Sequence, residues 1–156
     1  MNIAILFGTE TGNAEMLAED ISSALEDEHQ TRFANLQDTG PSELRDAELN
    51  IIVCSSYGDG ELPASAKPFA DRLREEQTDL DGVRFAMFGL GDGEYATTFG
   101  HGSMKLAEML IGRGAEIVGE RLVHDASGDD LPEDIAIPWA EAILASGNAA
   151  AASTAE

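Results

Sequence analysis

Apolar runs of strand length alternate along this chain with longer segments whose apolar residues recur at helical spacing. NIAILF, residues 2–7, is almost continuously apolar, the pattern of a strand buried on both faces. A helix is predicted from about Asn13 to Glu28, with Ala14, Leu17, Ala18, Ile21 and Leu25 on one stripe and acids on the other. TRFANLQ alternates weakly and reads as a more exposed strand, and TGPSELRDAE as a turn with one helical turn, Ser42 as its N-cap and Arg45 at its end. LNIIVCSS is the third strand, followed by a helix over about 64–77 with Phe69 and Leu73 at helical spacing. VRFAMFGLG is the fourth strand, and a helix follows over about 102–112. AEIVGERLVH is the fifth, bent or bulged at Gly119, and a last helix spans about 133–145 with a kink or restart near Pro138. The small polar stretch SGNAAAASTAE, residues 146–156, reads as a disordered tail, so residues 1–145 form the one expected domain.

Five strands, each followed by a crossover, imply one parallel sheet with helices on both faces. Ligands of such open sheets bind outside the carboxyl ends of the strands, where strand order reverses. The first strand ends in Gly8-Thr9-Glu10-Thr11-Gly12-Asn13 and passes directly into a helix. A helix N-terminus carries unpaired N–H groups and the positive end of the dipole, and Thr9, Thr11 and Asn13 add further donors. A phosphate can be held there without a basic side chain. The same residues also suit a plain strand-to-helix turn with Thr11 or Asn13 as N-cap. The lysine of a Walker loop is absent, and the GxGxxG dinucleotide signature is not spelled.

The third strand runs into Ser55-Ser56-Tyr57-Gly58-Asp59-Gly60, and the fourth into Gly89-Leu90-Gly91-Asp92 with Tyr95 beyond. Glycines and acids alone build turns. Two loop tyrosines at the carboxyl ends of neighbouring strands, however, make a slot for a flat ring.

Charge narrows the partners. The chain has 30 Asp plus Glu against 9 Lys plus Arg, a net charge of −21, and only two of the basic residues, Lys67 and Lys105, are lysines. Such a surface repels nucleic acid and anionic membrane, and attracts a basic protein. Solubility, or adaptation to a salty cytoplasm, accounts for the same acidity. The single cysteine, Cys54, excludes an internal disulfide and a multi-cysteine metal site, and its apolar run marks a buried, inert thiol. No apolar segment reaches the roughly 20 residues a membrane span needs and no basic leader is seen, so a cytoplasmic monomer is expected. His29, His101 and His124 are scattered at expected helix-end or surface positions, and Ser65 and Ser103 show no base partner. Trp139 and the methionines read as core or near-core. No catalytic residue set and no metal site emerges.

FGTETGNAEMLAEDI, SSYGDGELPASAKPF and FGLGDGEYATTFGHGSMKLAEML, three motifs in order and in the right strand context, resemble the flavin-contacting regions of the flavodoxin family. The chain most closely resembles the FMN domains of diflavin reductases such as cytochrome P450 reductase and sulfite reductase, and the small MioC-type flavodoxins are also similar. The resemblance extends to about Leu144. It implies a three-layer sandwich with a five-stranded parallel sheet of order 2-1-3-4-5, and FMN as cofactor. By that likeness Thr9, Glu10, Thr11, Gly12, Asn13 and Ala14 bind the phosphate, and Tyr57 and Tyr95 sandwich the isoalloxazine. Ser55, Ser56, Asp59 and Gly60 belong to the second contact loop, where the Gly58 peptide turns its carbonyl toward the flavin. Gly89, Leu90, Gly91 and Asp92 line the ring edge and Phe99 supports the pocket. Asp125 stands near the acid that the family places by the flavin, a role open also to Asp129 or Asp130. The fifth-strand segment EIVGERLVH lacks the extra loop of about twenty residues that splits it in long-chain members, which marks the short-chain type.

The implied protein is an electron carrier with no substrate turnover of its own. Asp59, Glu61, Asp92 and Glu94 around the ring oppose added negative charge on the flavin, which lowers the potential of the second electron step. A basic ferredoxin- or flavodoxin-NADP reductase-like donor and a basic acceptor, such as a cytochrome P450, are the expected partners. One alternative is an FMN-carrying subunit of a two-component reductase. A second is a flavin-free receiver module, which needs an acidic pair after the first strand, a phosphoacceptor Asp after the third and a lysine after the fifth, and the chain fails the first and last of these.

Overall fold

The computed structural model describes residues 2–9, 12–55, 62–91, 101–119, 121–125 and 131–154. Strand β1 (Asn2–Gly8) lies between β2 (Gln30–Asn35) and β3 (Leu49–Ser55), and β4 (Arg84–Gly91) follows β3, all parallel. Two short strands, β5 (Glu116–Ile117) and β6 (Leu122–Asp125), both pair with β4. The order β2-β1-β3-β4-β5 is the one expected, with its reversal between β1 and β3.

Period-2 alternation divides the central strands between two cores. Ile3, Ile5 and Phe7 of β1, Ile51 and Val53 of β3, and Phe88 of β4 face helix α1 (Asn13–Leu25) and helix α4 (Pro132–Thr154). Trp139 of α4 meets Phe88 edge-on, with ring centroids 5.3 Å apart. Ala4, Leu6, Ile52, Cys54, Phe85 and Met87 face helix α2 (Lys67–Glu76) and helix α3 (His101–Gly112). Helices therefore cover both faces.

The bend or bulge expected at Gly119 is strong enough to divide the fifth strand into β5 and β6. Phe85 pairs with Ile117 and Phe88 with Leu122, so two residues of β4 span a stretch that takes four on its neighbour, around Gly119 at φ 72°. Helix α1 stops at Leu25, short of Glu28, because Glu26, Asp27 and Glu28 would bring acids to the negative end of the helix dipole. Helix α2 starts at Lys67 rather than near 64, with Pro68 in its first turn, where a missing N–H costs nothing.

Residues Pro41–Asp46 form a 3₁₀ turn capped from Gly40, whose N–H donates to the Glu43 carboxylate; Ser42 is not the cap. Helix α4 passes through Pro138 without restarting and continues to Thr154, so the stretch expected as a disordered tail is helical to that point. Its alanines are the best helix formers. Met16 corrects the expectation of buried methionines: it stands off the buried stripe of α1 and is 66% exposed.

Two polar side chains that the pattern did not single out tie the connections to the sheet. The buried Asn50 donates Nδ2 to the carbonyls of Leu44 (2.9 Å) and Arg84 (3.1 Å). Arg72 Nη2 donates to the carbonyls of Leu36, Gln37 and Thr39, which holds the β2–β3 connection against α2.

Candidate functional site

The register gathers the carboxyl ends of β1, β3, β4 and β6 at one edge of the molecule. Gly8 pairs with Cys54, Ser55 with Leu90, Leu90 with His124, and Gly91 with Asp125. Thr9, Ser55, Leu90 and His124 thus fall in one row, with Gly91 and the Asp125 backbone one step beyond it, as expected of a site at the reversal of strand order.

The turn from β1 into α1 is built on Thr9. Its N–H donates to Ser65 Oγ at 2.7 Å, and Ser65 N–H returns a bond to the Thr9 carbonyl at 3.1 Å. Thr9 Oγ1 accepts the Gly12 N–H at 2.8 Å, which draws the chain round into the helix. The N-cap is Gly12, at φ 102°, and no side chain caps it; this is neither the Thr11 nor the Asn13 cap of an ordinary turn. The first helical bond runs from Met16 N–H to the Gly12 carbonyl, so the amides of Asn13, Ala14 and Glu15 are the open donors of the helix end. Thr9, Gly12, Asn13 and Ala14 are accordingly brought together around a positive dipole end with no cation among them. Glu10 and Thr11 lie outside the described residues.

Gly89 marks where α3 approaches β4. A Cβ at Gly89 would lie 2.3 Å from Ser103 Oγ. That hydroxyl, fully buried, accepts a bond from Arg121 Nη1 at 2.8 Å. Ser65 and Ser103 are therefore positioning groups: one supports Thr9, the other joins α3 to the break in the fifth strand through Arg121. Sequence reasoning missed both partnerships, and the one signal for Arg121 is a lone cation inside an apolar strand pattern. His124, expected at a helix end or on the surface, is instead buried in β6 beside Leu90. Ser56, Tyr57, Gly58, Asp59, Gly60, Glu61, Asp92, Glu94, Tyr95, Phe99, Asp129 and Asp130 lie outside the described residues, as does the side chain of Asp125.

Cys54 lies level with Gly89 but points into the α2–α3 core, and burial pushes its thiol up to about 12. It is no nucleophile. An unfolded thiol titrates near 9.0, so between that pH and about 12 only the unfolded chain releases this proton, and stability falls as pH rises. From pH 8 to 10.5 this amounts to about 2 kcal/mol. Urea unfolding of wild type and Cys54→Ala at the two pH values should show the variant losing less stability by that amount; equal losses would refute the assignment.

A surface hollow of about 520 Å³ at the opposite end of the sheet is lined by Glu26, Asp27, Glu28 and Glu48. An anionic ligand would be repelled there, so the strand-end row remains the candidate.

A doubly wound parallel sheet with an uncapped helix end and glycine-rich strand ends at its reversal point defines a nucleotide-type binding fold, with a cradle suited to phosphate. The model of the flavodoxin family matches residues 5–139, and the chain belongs to that family. It is 35% identical to the MioC homolog of Haemophilus influenzae over 141 residues, 89% of this chain and 94% of that protein. It is 35% identical to NADPH-dependent diflavin oxidoreductase 1 of Emericella nidulans over 142 residues, 86% of this chain but only 21% of that protein. Among solved structures, a cysteine mutant of flavodoxin from Pseudomonas aeruginosa superposes with a TM-score of 0.81 at 30% identity, covering 94% of this chain and 99% of that one.

Proposed function

We propose that this protein binds FMN at the strand-end row and passes electrons singly between a reductase and an acceptor. The observation that carries the reading is the α1 N-terminus, where Gly12 leaves the first-turn amides uncapped beside Thr9 and Asn13. Those donors suit a phosphate dianion chemically, and no residue of the loop sequence from Gly8 to Ala14 carries a positive charge to compensate it. Bound FMN supplies the electron storage. The chain contributes orientation through the phosphate cradle and the two loop tyrosines, Tyr57 and Tyr95, and electrostatics through Asp59, Glu61, Asp92 and Glu94. A carboxylate rim disfavours further negative charge and so separates the two one-electron steps.

The same rim favours a basic reductase as donor and a basic acceptor, in an encounter that salt weakens. Met16, exposed at the start of α1, and Leu131, exposed before α4, offer apolar contact to such a partner. The likeness to an FMN-containing part of a diflavin oxidoreductase favours a second reading, service to one fixed reductase partner.

Anaerobic stepwise reduction of FMN-reconstituted protein, followed by visible spectra, tests the function. Two resolved one-electron steps are expected. Failure to take up FMN, or a single two-electron step, would overturn it.

A further inference from the structure

The basic residues are unevenly shared over the surface. Of 9 in the chain, both lysines, Lys67 and Lys105, meet Arg74 and Arg113 along one groove between α2 and α3. Three neighbouring cavities of about 440, 330 and 400 Å³ form it, and Arg74 lines all of them. The floor is apolar, with Leu62 and Met109 half-buried and Leu73 beneath. Two acids also line it: Asp71, held in an ion pair by Arg74, and Glu108. Among the described residues Lys67, Lys105 and Arg113 enter no ion pair. Packing does not demand these cations, because α2 and α3 rest on the sheet through Phe69, Leu73, Leu106 and Leu110.

We infer that this groove docks a short acidic segment of a partner protein, with its carboxylates on the lysines and arginines and an apolar side chain over Leu62 and Met109. At physiological ionic strength charges are screened beyond about 8 Å, so a segment lying in the groove feels its cations more than the acidic surface elsewhere. A nucleic acid, an anionic bilayer or a second copy of this chain extends past the groove onto a surface of net charge −21, and is repelled. The groove therefore selects a partner opposite in sign to the one suited to the strand-end rim. Docking here does not require FMN.

The test is NMR shift mapping on the whole chain, with and without FMN, at about 0.15 M salt. The probe is a synthetic peptide of about ten residues alternating glutamate with leucine, with a glutamine-for-glutamate version and a short DNA duplex as comparisons. The acidic peptide should move amides within residues 67–76 and 101–113 equally with and without FMN. The double variant Lys67→Glu, Lys105→Glu, and separately the glutamine peptide, should each weaken binding by about tenfold or more, with the variant's melting temperature unchanged. The inference falls if millimolar peptide moves no amide or moves amides elsewhere, if charge reversal has no effect, or if DNA moves the same amides more strongly. Concentration-dependent shifts of those amides in the protein alone would assign the groove to a second copy and overturn it too.

Discussion

Replacing Gly12 with proline should weaken FMN binding roughly a hundredfold while leaving riboflavin binding nearly unchanged. Gly12 sits at φ 102°, and its N–H bonds to Thr9 Oγ1 at 2.8 Å. Proline has no N–H and holds φ near −65°, so the chain must enter α1 by another path and the first-turn amides lose their common aim. A hydrogen bond to a charged group contributes about 1.5–3 kcal/mol, and one such bond lost is already about tenfold to more than a hundredfold in affinity. Riboflavin lacks the phosphate and should report only on the ring slot. Asparagine tolerates the left-handed conformation, so Gly12→Asn should bind FMN close to wild type. Fluorescence titration with both flavins decides the matter. Equal weakening of the two, or of neither, would remove the phosphate role from the α1 end.

Gly89→Ala should lower the melting temperature by about 4–10 °C and reduce FMN affinity with it. The added methyl would stand 2.3 Å from Ser103 Oγ, 3.0 Å from Ser103 Cβ and 3.2 Å from Val123 Cγ2. Overpacking of this kind costs about 1–3 kcal/mol, and each kcal/mol shifts the melting point of a domain this size by roughly 2–4 °C. Relief by moving α3 outward would disturb the end of β4, where the ring edge is expected. Adding Ser103→Gly removes the obstructing atoms and should recover most of the loss, even though it gives up the Arg121 bond. An unchanged melting point for Gly89→Ala, or no recovery in the double variant, would show that this close approach is not what makes glycine necessary.

The position of the strand ends was legible before any geometry, and for identifiable reasons. Thr9 follows, and Gly89 to Gly91 close, apolar runs too continuous to be anything but central strands, so their place at the carboxyl edge follows from the pattern. What stayed illegible was pairing between distant residues. Nothing in the composition links Ser65 to Thr9 or Arg121 to Ser103, because those partners meet only when crossovers return to the same edge. His124 was misplaced for a related reason: a histidine at a strand's end is exposed or buried according to its neighbours in the sheet, and β4 buries this one.

The sequence by itself determined the layer plan. Hydrophobic periodicity depends on neighbours a few residues apart, and it marks which segments can be buried on two faces and which on one stripe. It also determined the acidity and the absence of a basic side chain in the first loop. Only the tertiary structure decided where segments end and which surfaces face each other. Four residues set against two of β4 break the fifth strand. The folding of α2 beside α3 brings Lys67, Arg74, Lys105 and Arg113, spread along 47 positions from 67 to 113, into one groove. Charge is written locally in a chain, but a charged surface forms only where the backbone returns.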